Sequence, residues 1–279
     1  MPLVTLKEVF DHANREKIGV GSFNFHNMET FEAIIEAAEV SRFPVICGVP
    51  ARMFSFLDLE LIANMAVDRL RRSSVLAVLH LDHGKEFSMI VSALKNGFTS
   101  VMYDGSHLPL SDNIRNTQDV VRVAQAVGAS VEGELGYVGR GENSEQLDQG
   151  RFTKVEEASE FHQQTGVDAL AVAYGSVHGV YVGTPHLDFE RLRSIAQTVP
   201  VPLVLHGGSG LTDVDFQTSI EIGVRKINIF TDLSRAALRT MIEKAPDASD
   251  YASVNALIKE SIGGEVARYM RVFGFSDRH

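Results

Sequence analysis

The sequence predicts an α/β fold, a single (β/α)8 barrel with an extra helix before the first strand and further helices at the C-terminus. Three observations predict it. Short β-branched runs alternate with amphipathic helical stretches, there are eight such runs, and polar side chains gather at their C-terminal ends. The 279 residues are read as one domain, 1–279, because no Pro/Ser/Gly linker, low-complexity tract or block of like charge divides them. Eight strands separated by helices fit closure better than the open doubly wound sheet, which is the architectural alternative.

The runs, in order, are Ile18–Phe25, Pro44–Val49, Val75–Leu81, Ser100–Tyr103, Ser130–Gly133, Ala169–Ala173, Pro202–His206 and Lys226–Phe230. Thr5 and Glu8 form a T-x-x-E capping box, so a helix precedes the first strand, where it can close the bottom of the barrel. Asn27 caps a helix whose residues Met28, Phe31, Ile35 and Ala38 share one face. Thr212, three residues before Asp215, repeats the helix start after the seventh run. The longest stretch without periodicity runs from Val138 to Phe152.

Composition narrows the partners. A net charge of −10 works against non-specific binding to nucleic acid or an anionic membrane, so an anionic substrate needs a local electropositive site. No apolar run approaches the ~18 residues of a membrane span. The N-terminus lacks a basic head followed by an apolar stretch, and the single cysteine, Cys47, cannot form an internal disulfide. These features fit a soluble cytoplasmic protein.

In a barrel the active site forms at the C-terminal ends of the strands. There the sequence puts Asn24, Asp82-His83, Asp104, Glu132 and Glu134, His178, His206 and Asn228. Three imidazoles (His83, His178 and His206) behind three different strands, with a fourth position open, suit a catalytic zinc; cobalt or iron also fits. Each histidine alone reads as an ordinary hydrogen-bonded residue, and the convergence of three favours the metal. His80 and His107 lie close enough to support the ligands. The turn Gly207-Gly208-Ser209-Gly210 and the segment from Asn228 to Thr231 follow the seventh and eighth runs, where barrels bind phosphate through free backbone N–H groups and helix N-termini.

Five motifs occur in order: His80-Leu81-Asp82-His83-Gly84, Tyr103-Asp104-Gly105-Ser106-His107, Glu132-Gly133-Glu134-Leu135-Gly136, Tyr174-Gly175-Ser176-Val177-His178-Gly179 and Leu205-His206-Gly207-Gly208-Ser209-Gly210. Together, from about Thr5 to Thr231, the chain resembles the class II, metal-dependent fructose-bisphosphate and tagatose-bisphosphate aldolases. Asn24-Phe25-His26-Asn27 is closer to the tagatose-type branch. The resemblance implies zinc on His83, His178 and His206, with Glu134 and Asp104 offering carboxylates to an alternative or second metal position. It implies that Asp82 exchanges a proton with the oxygen of the aldehyde product and that Glu142 moves the proton at the nucleophilic carbon. Dihydroxyacetone phosphate would be held by Gly179, Gly207, Gly208, Ser209, Asn228 and Thr231, with a monovalent cation, Na+ or K+, near its phosphate, and Asn24 is a further substrate-binding candidate. Such enzymes are homo-oligomers acting on small sugar phosphates. A Schiff-base aldolase would instead need a lysine in the mouth, and Lys226 begins its run.

Three positions depart from the family pattern. Pro50 stands where Ser or Thr is usual, Asp250-Tyr251-Ala252 replaces an Asp-Pro-Arg, and Phe230 replaces a polar residue. The first two remove donors to the phosphate on the aldehyde side. The far end of the substrate is therefore a phosphate held by Arg52 or Arg140, another anion such as a sulfonate, or uncharged. A sugar-phosphate sensor on a degenerate barrel and a barrel-type zinc hydrolase are the alternatives outside the aldolases. The intact metal and acid–base set disfavours the sensor, and the phosphate loops disfavour the hydrolase.

Overall fold

The computed structural model describes residues 2–140, 152–181 and 183–274. Eight parallel strands close a barrel: β1 (Val20–Asn24), β2 (Val45–Pro50), β3 (Ala77–Gly84), β4 (Ser100–Tyr103), β5 (Ser130–Leu135), β7 (Ala169–Val172), β9 (Leu203–Leu205) and β10 (Val224–Ile229). Two short strands, β6 (Gly139–Arg140) and β8 (Val177–His178), pair with each other outside it. The helices are α1 (Leu6–Glu16), α2 (Met28–Ser41), α3 (Leu59–Arg71), α4 (Phe87–Lys95), α5 (Leu110–Ala126), α6 (Val155–Thr165), α7 (Phe189–Thr198), α8 (Asp213–Ile222), α9 (Thr231–Lys244) and α10 (Tyr251–Gly274). Every expected barrel strand forms, with ends shifted by a few residues.

The expected caps form as well. Thr5 and Glu8 make a reciprocal capping box on α1, and Thr212 and Asp215 do the same on α8. The Asn27 side chain accepts from the Thr30 N–H at the start of α2. The face assigned to α2 needs one correction. Phe31, Ile35 and Ala38 are buried, but Met28 in the first turn is 60% exposed, and Ile34 takes its place in the core.

The barrel interior is graded from apolar to charged. At its bottom Val20, Ile46, Val78, Ala169, Ala171 and Val204 pack against α1 and the residues before it, so that helix closes the base. Period-two alternation carries β1 inward at Val20, Ser22 and Asn24 and sends Phe23 outward against Tyr269 of α10. Higher up, polar side chains from non-adjacent strands bond to one another: Asn24 (β1) and Asn228 (β10) both reach Asp82 (β3), and Lys226 (β10) reaches Glu132 (β5). Such contacts can form only across the barrel axis. Lys226 is the third residue of β10 and not its first, because the strand starts at Val224.

Candidate active site

Asp82 and His83 are neighbours in β3, and successive strand residues ordinarily face opposite ways. Here the backbone departs from the strand pattern. His83 has φ +53°, and the pairing of β3 with β4 shifts register between Leu81 and Gly84. A left-handed non-glycine residue costs about 1–2 kcal/mol, and this one turns His83 to the mouth beside Asp82. Its ring lies 5.0 Å from His178 and 4.6 Å from His206, centroid to centroid, and those two are 5.8 Å apart. One nitrogen from each ring lies within 4.8 Å of the others. His83 also forms a second such group with Asp104 and Glu134. The structure thus brings together all five residues expected around a metal.

Orphaned atoms test whether this cluster fits a cation. Among the described residues, His178 Nε2, His206 Nδ1 and Glu134 Oε2 are buried without a hydrogen-bond partner. A buried polar atom left so costs free energy, and a divalent ion coordinated by imidazole and carboxylate relieves that cost. The residues fit the group. Titration points the same way. Burial lowers the His83 pKa, but Asp82, Asp104 and Glu134 overcome it and raise the value to about 9. Glu134 is pushed up to about 8 by burial and by Asp104. A bound cation would displace protons from both. His178 drops to about 3 through burial and the charges of His83 and His206, so its ring is a neutral donor at pH 7.

Glu132 has no role assigned by the sequence alone, and the structure gives it partners. Its Oε1 is 2.8 Å from His206 Nε2 and its Oε2 is 2.8 Å from Lys226 Nζ. Burial opposes its charge, but Lys226 and His206 hold its carboxyl below the usual range. An ionised Glu132 accepts a hydrogen bond, so the proton of His206 sits on Nε2 and the lone pair is left on the orphaned Nδ1. His80 lies below, with Nδ1 2.7 Å from Ser100 Oγ and Nε2 3.7 Å from Glu132 Oε2, whereas His107 is exposed. Lys226 is fully buried in this network and offers no free amine to a substrate. Replacing Glu132 with Gln is expected to weaken metal affinity by about 10–100-fold, the usual cost of losing such a supporting carboxylate. Competition against a fluorescent chelator measures it; unchanged affinity would remove Glu132 from the account.

Asp82 is almost fully buried, and both of its oxygens are engaged: Asn24 Nδ2 donates to Oδ2 at 2.8 Å and Asn228 Nδ2 to Oδ1 at 2.9 Å. Burial opposes its charge, but His83, His206 and Lys226 hold its carboxyl well below the usual carboxylate range. Asn228 Oδ1 in turn accepts from Lys226 Nζ at 2.7 Å. The two asparagines expected to touch substrate therefore orient Asp82.

On the other side of the mouth lies the glycine turn. Gly207 has φ +70°, and a Cβ there would sit 2.3 Å from the Val177 carbonyl oxygen, so only glycine fits. Tyr181 braces the turn, accepting from Val177 N at 3.0 Å and donating to the Gly207 carbonyl at 2.9 Å. Gly208 N donates to the Asn228 carbonyl, and Ser209 Oγ accepts from Asp232 N at 3.2 Å, which ties the turn to the first residues of α9. Thr231 opens that helix. Gly179, at φ +93°, faces open space. The hydrogen bond from Asp232 N to Ser209 Oγ thus joins the glycine turn to the N-terminus of α9 in one corner, and the N–H groups of a helix N-terminus suit an anion.

Pro50 ends β2 and is followed by a 3-10 helix, Ala51–Ser55, that carries Arg52. The Arg52 guanidinium lies 5.3 Å over the Phe230 ring, and His26 meets the same ring edge-on at 6.5 Å. Asp250 caps α10 through Ser253, and Tyr251 begins that helix 73% exposed. Arg140 is half of β6, which pairs with the strand carrying His178. Glu142 lies outside the described residues.

The family model described as "Fructose-bisphosphate aldolase class-II" matches residues 4–278. A fructose-bisphosphate aldolase of Geobacillus stearothermophilus is 38% identical over all of this chain and 99% of its own length. A 6-phospho-5-dehydro-2-deoxy-D-gluconate aldolase of Halalkalibacterium halodurans is also 38% identical, over all of this chain and 98% of its own. Among solved structures, the YdjI aldolase of Escherichia coli K12 superposes with a TM-score of 0.89 at 32% identity, covering 98% of this chain and 97% of the other.

Proposed function

Because this chain belongs to the class II fructose-bisphosphate aldolase family of metal-dependent lyases, we propose that it is a zinc-dependent ketose-phosphate aldolase. It cleaves a ketose 1-phosphate reversibly to dihydroxyacetone phosphate and an aldehyde, with the whole chain, 1–279, acting as one domain. The observation that carries the reading is the convergence of His83, His178 and His206 beside a carboxylate, Asp82, whose two oxygens are fixed by asparagine amides. A divalent ion on the three imidazoles, zinc first and cobalt or iron as substitutes, supplies Lewis-acid polarisation of the substrate carbonyl. Glu134 and Asp104 offer a second position for it.

In cleavage, Asp82 takes the proton of the C4 hydroxyl as the C3–C4 bond breaks, and the aldehyde leaves. The bonding pair stays with the three-carbon phosphate fragment, and Glu142 returns a proton to its C3. Asn24 and Asn228 keep Asp82 ionised and aimed. Gly179, Gly207, Gly208, Ser209 and Thr231 hold the phosphate in the N–H-rich corner, with Na+ or K+ beside it. The anionic charge of the chain, −10, supports a small-molecule substrate over nucleic acid or an anionic membrane. Among the described residues no helix is long and apolar enough to cross a membrane. We take the enzyme as a cytoplasmic homo-oligomer; exposed Leu238, Met241 and Ile242 on α9 support a covering subunit.

The far end of the substrate is an anion, since Arg52 stands at the rim over Phe230 with its donors unused by described hydrogen bonds or ion pairs. The relative named for a phosphorylated gluconate is as similar as the one named for fructose bisphosphate, so phosphate, sulfonate and carboxylate all remain in the class. Arg52→Ala is expected to raise KM for the ketose by about 10–100-fold, from about 1.5–3 kcal/mol of charged hydrogen bonding. Affinity for dihydroxyacetone phosphate alone stays put. Unchanged KM in this variant and in Arg140→Ala would favour an uncharged aldehyde or an anion site from another subunit. A panel of ketose 1-phosphates, read by dihydroxyacetone phosphate release, tests the aldolase reading as a whole: a sensor binds its sugar and releases nothing.

A further inference from the structure

We propose that Tyr269, on the C-terminal helix and remote from the metal cluster, is a positioning residue for phosphate binding: it holds the Asp232 carboxylate away from the phosphate corner. The inference rests on the reading of that corner as the phosphate site.

The geometry starts with Asp232, the second residue of α9. Its backbone N–H donates to Ser209 Oγ at 3.2 Å. Because that oxygen is already an acceptor, the Ser209 hydroxyl keeps its own proton to donate, which suits an anion. The side chain of Asp232 presents the opposite problem. A carboxylate at the first turn of α9 is favoured by the helix dipole, but it would occupy the N–H groups on which a phosphate depends and would repel it. Tyr269 resolves the conflict by donating its hydroxyl to Asp232 Oδ2.

Packing fixes the Tyr269 ring, and its side chain meets Arg268 as well as Asp232. The residue is 1% exposed, and its ring packs on Phe23, Phe216 and Phe273, at centroid distances of 6.4, 5.8 and 5.6 Å. Arg268 covers it at 4.0 Å. A phenylalanine would fill this aromatic cluster equally well, so the hydroxyl is the part that packing does not require. Its target directly follows Thr231 in the chain and is one hydrogen bond from Ser209, both in the proposed phosphate corner.

Once released, Asp232 is free to turn into the corner. Tyr269→Phe is therefore expected to weaken binding of dihydroxyacetone phosphate to the metal-loaded enzyme by about tenfold, the loss from one unfavourable unit charge near a phosphate. KM for the ketose should rise in parallel while kcat changes less than threefold. The decisive variant is the double substitution Tyr269→Phe with Asp232→Ala, which removes the released charge and should return affinity to within about threefold of the parent. Isothermal titration with dihydroxyacetone phosphate reads all of these. Parent-like affinity in Tyr269→Phe, or a double variant no better than the single one, would overturn the inference and leave Tyr269 a packing residue. Failure of the parent enzyme to bind dihydroxyacetone phosphate would overturn the phosphate-corner reading itself. Weakening by Ser209→Ala without any effect of Tyr269→Phe would keep that reading and discard only the role of Tyr269.

Discussion

Replacing Asp82 with alanine is expected to lower turnover by about 10²–10⁴-fold, the range for loss of a general acid–base group. Affinity for the metal and for dihydroxyacetone phosphate should hold, because neither depends on the Asp82 carboxylate in the proposed arrangement. The hydrogen bonds around it add a stability cost. Asn24 Nδ2 and Asn228 Nδ2 both lose their acceptor, and each buried donor left unsatisfied costs about 1–3 kcal/mol. Asp82→Asn keeps the volume and separates the two effects. Steady-state rates beside denaturant melts measure both. A variant that folds and turns over within tenfold of the parent removes Asp82 from the chemistry, and one that does not fold marks it as structural.

Loss of any one imidazole is the second large effect. His83→Ala, His178→Ala and His206→Ala should each lower bound metal from about one ion per chain to well below that, and activity should fall with it. The pH dependence has a definite sign. The His83 pKa is raised to about 9 by neighbouring carboxylates, so at pH 7 a proton competes with the metal for that ring. Affinity therefore rises with pH through neutrality and levels off as pH passes about 9. Titration calorimetry in buffers of different ionisation enthalpy should register protons released on metal binding at pH 7. Affinity that is flat over this range would contradict the assignment of His83.

Much of this was legible in the sequence because barrel strands and their ends leave plain marks. β-branched runs mark all eight strands, and polar residues at the C-terminal ends of every run but the second mark the mouth. The misses have physical causes. Met28 fits the helical period but lies in the first turn of α2, beyond the reach of the core. β6 and β8 are two residues each, too short for any period to register. Glu132 and Lys226 were undervalued because their partners are 74 and 94 positions away for Glu132, in His206 and Lys226, and no local pattern reports such a pairing. A signal was there: Lys226 alternates with Val224 and Asn228 on the inward face of its strand, and a lysine at an inward position demands a buried partner. The left-handed turn at His83 left no local signal, since neither glycine nor asparagine, the usual markers of that conformation, stands there.

Cleavage of the best ketose 1-phosphate by the enzyme as purified, after exhaustive chelation and after return of one equivalent of zinc, tests whether catalysis depends on a metal held by His83, His178 and His206. Chelation is expected to lower the rate by about 10³-fold or more, matching several kcal/mol of lost carbonyl polarisation, and zinc to restore dihydroxyacetone phosphate release. Full activity in the chelated enzyme, with metal analysis finding none bound, would contradict that dependence.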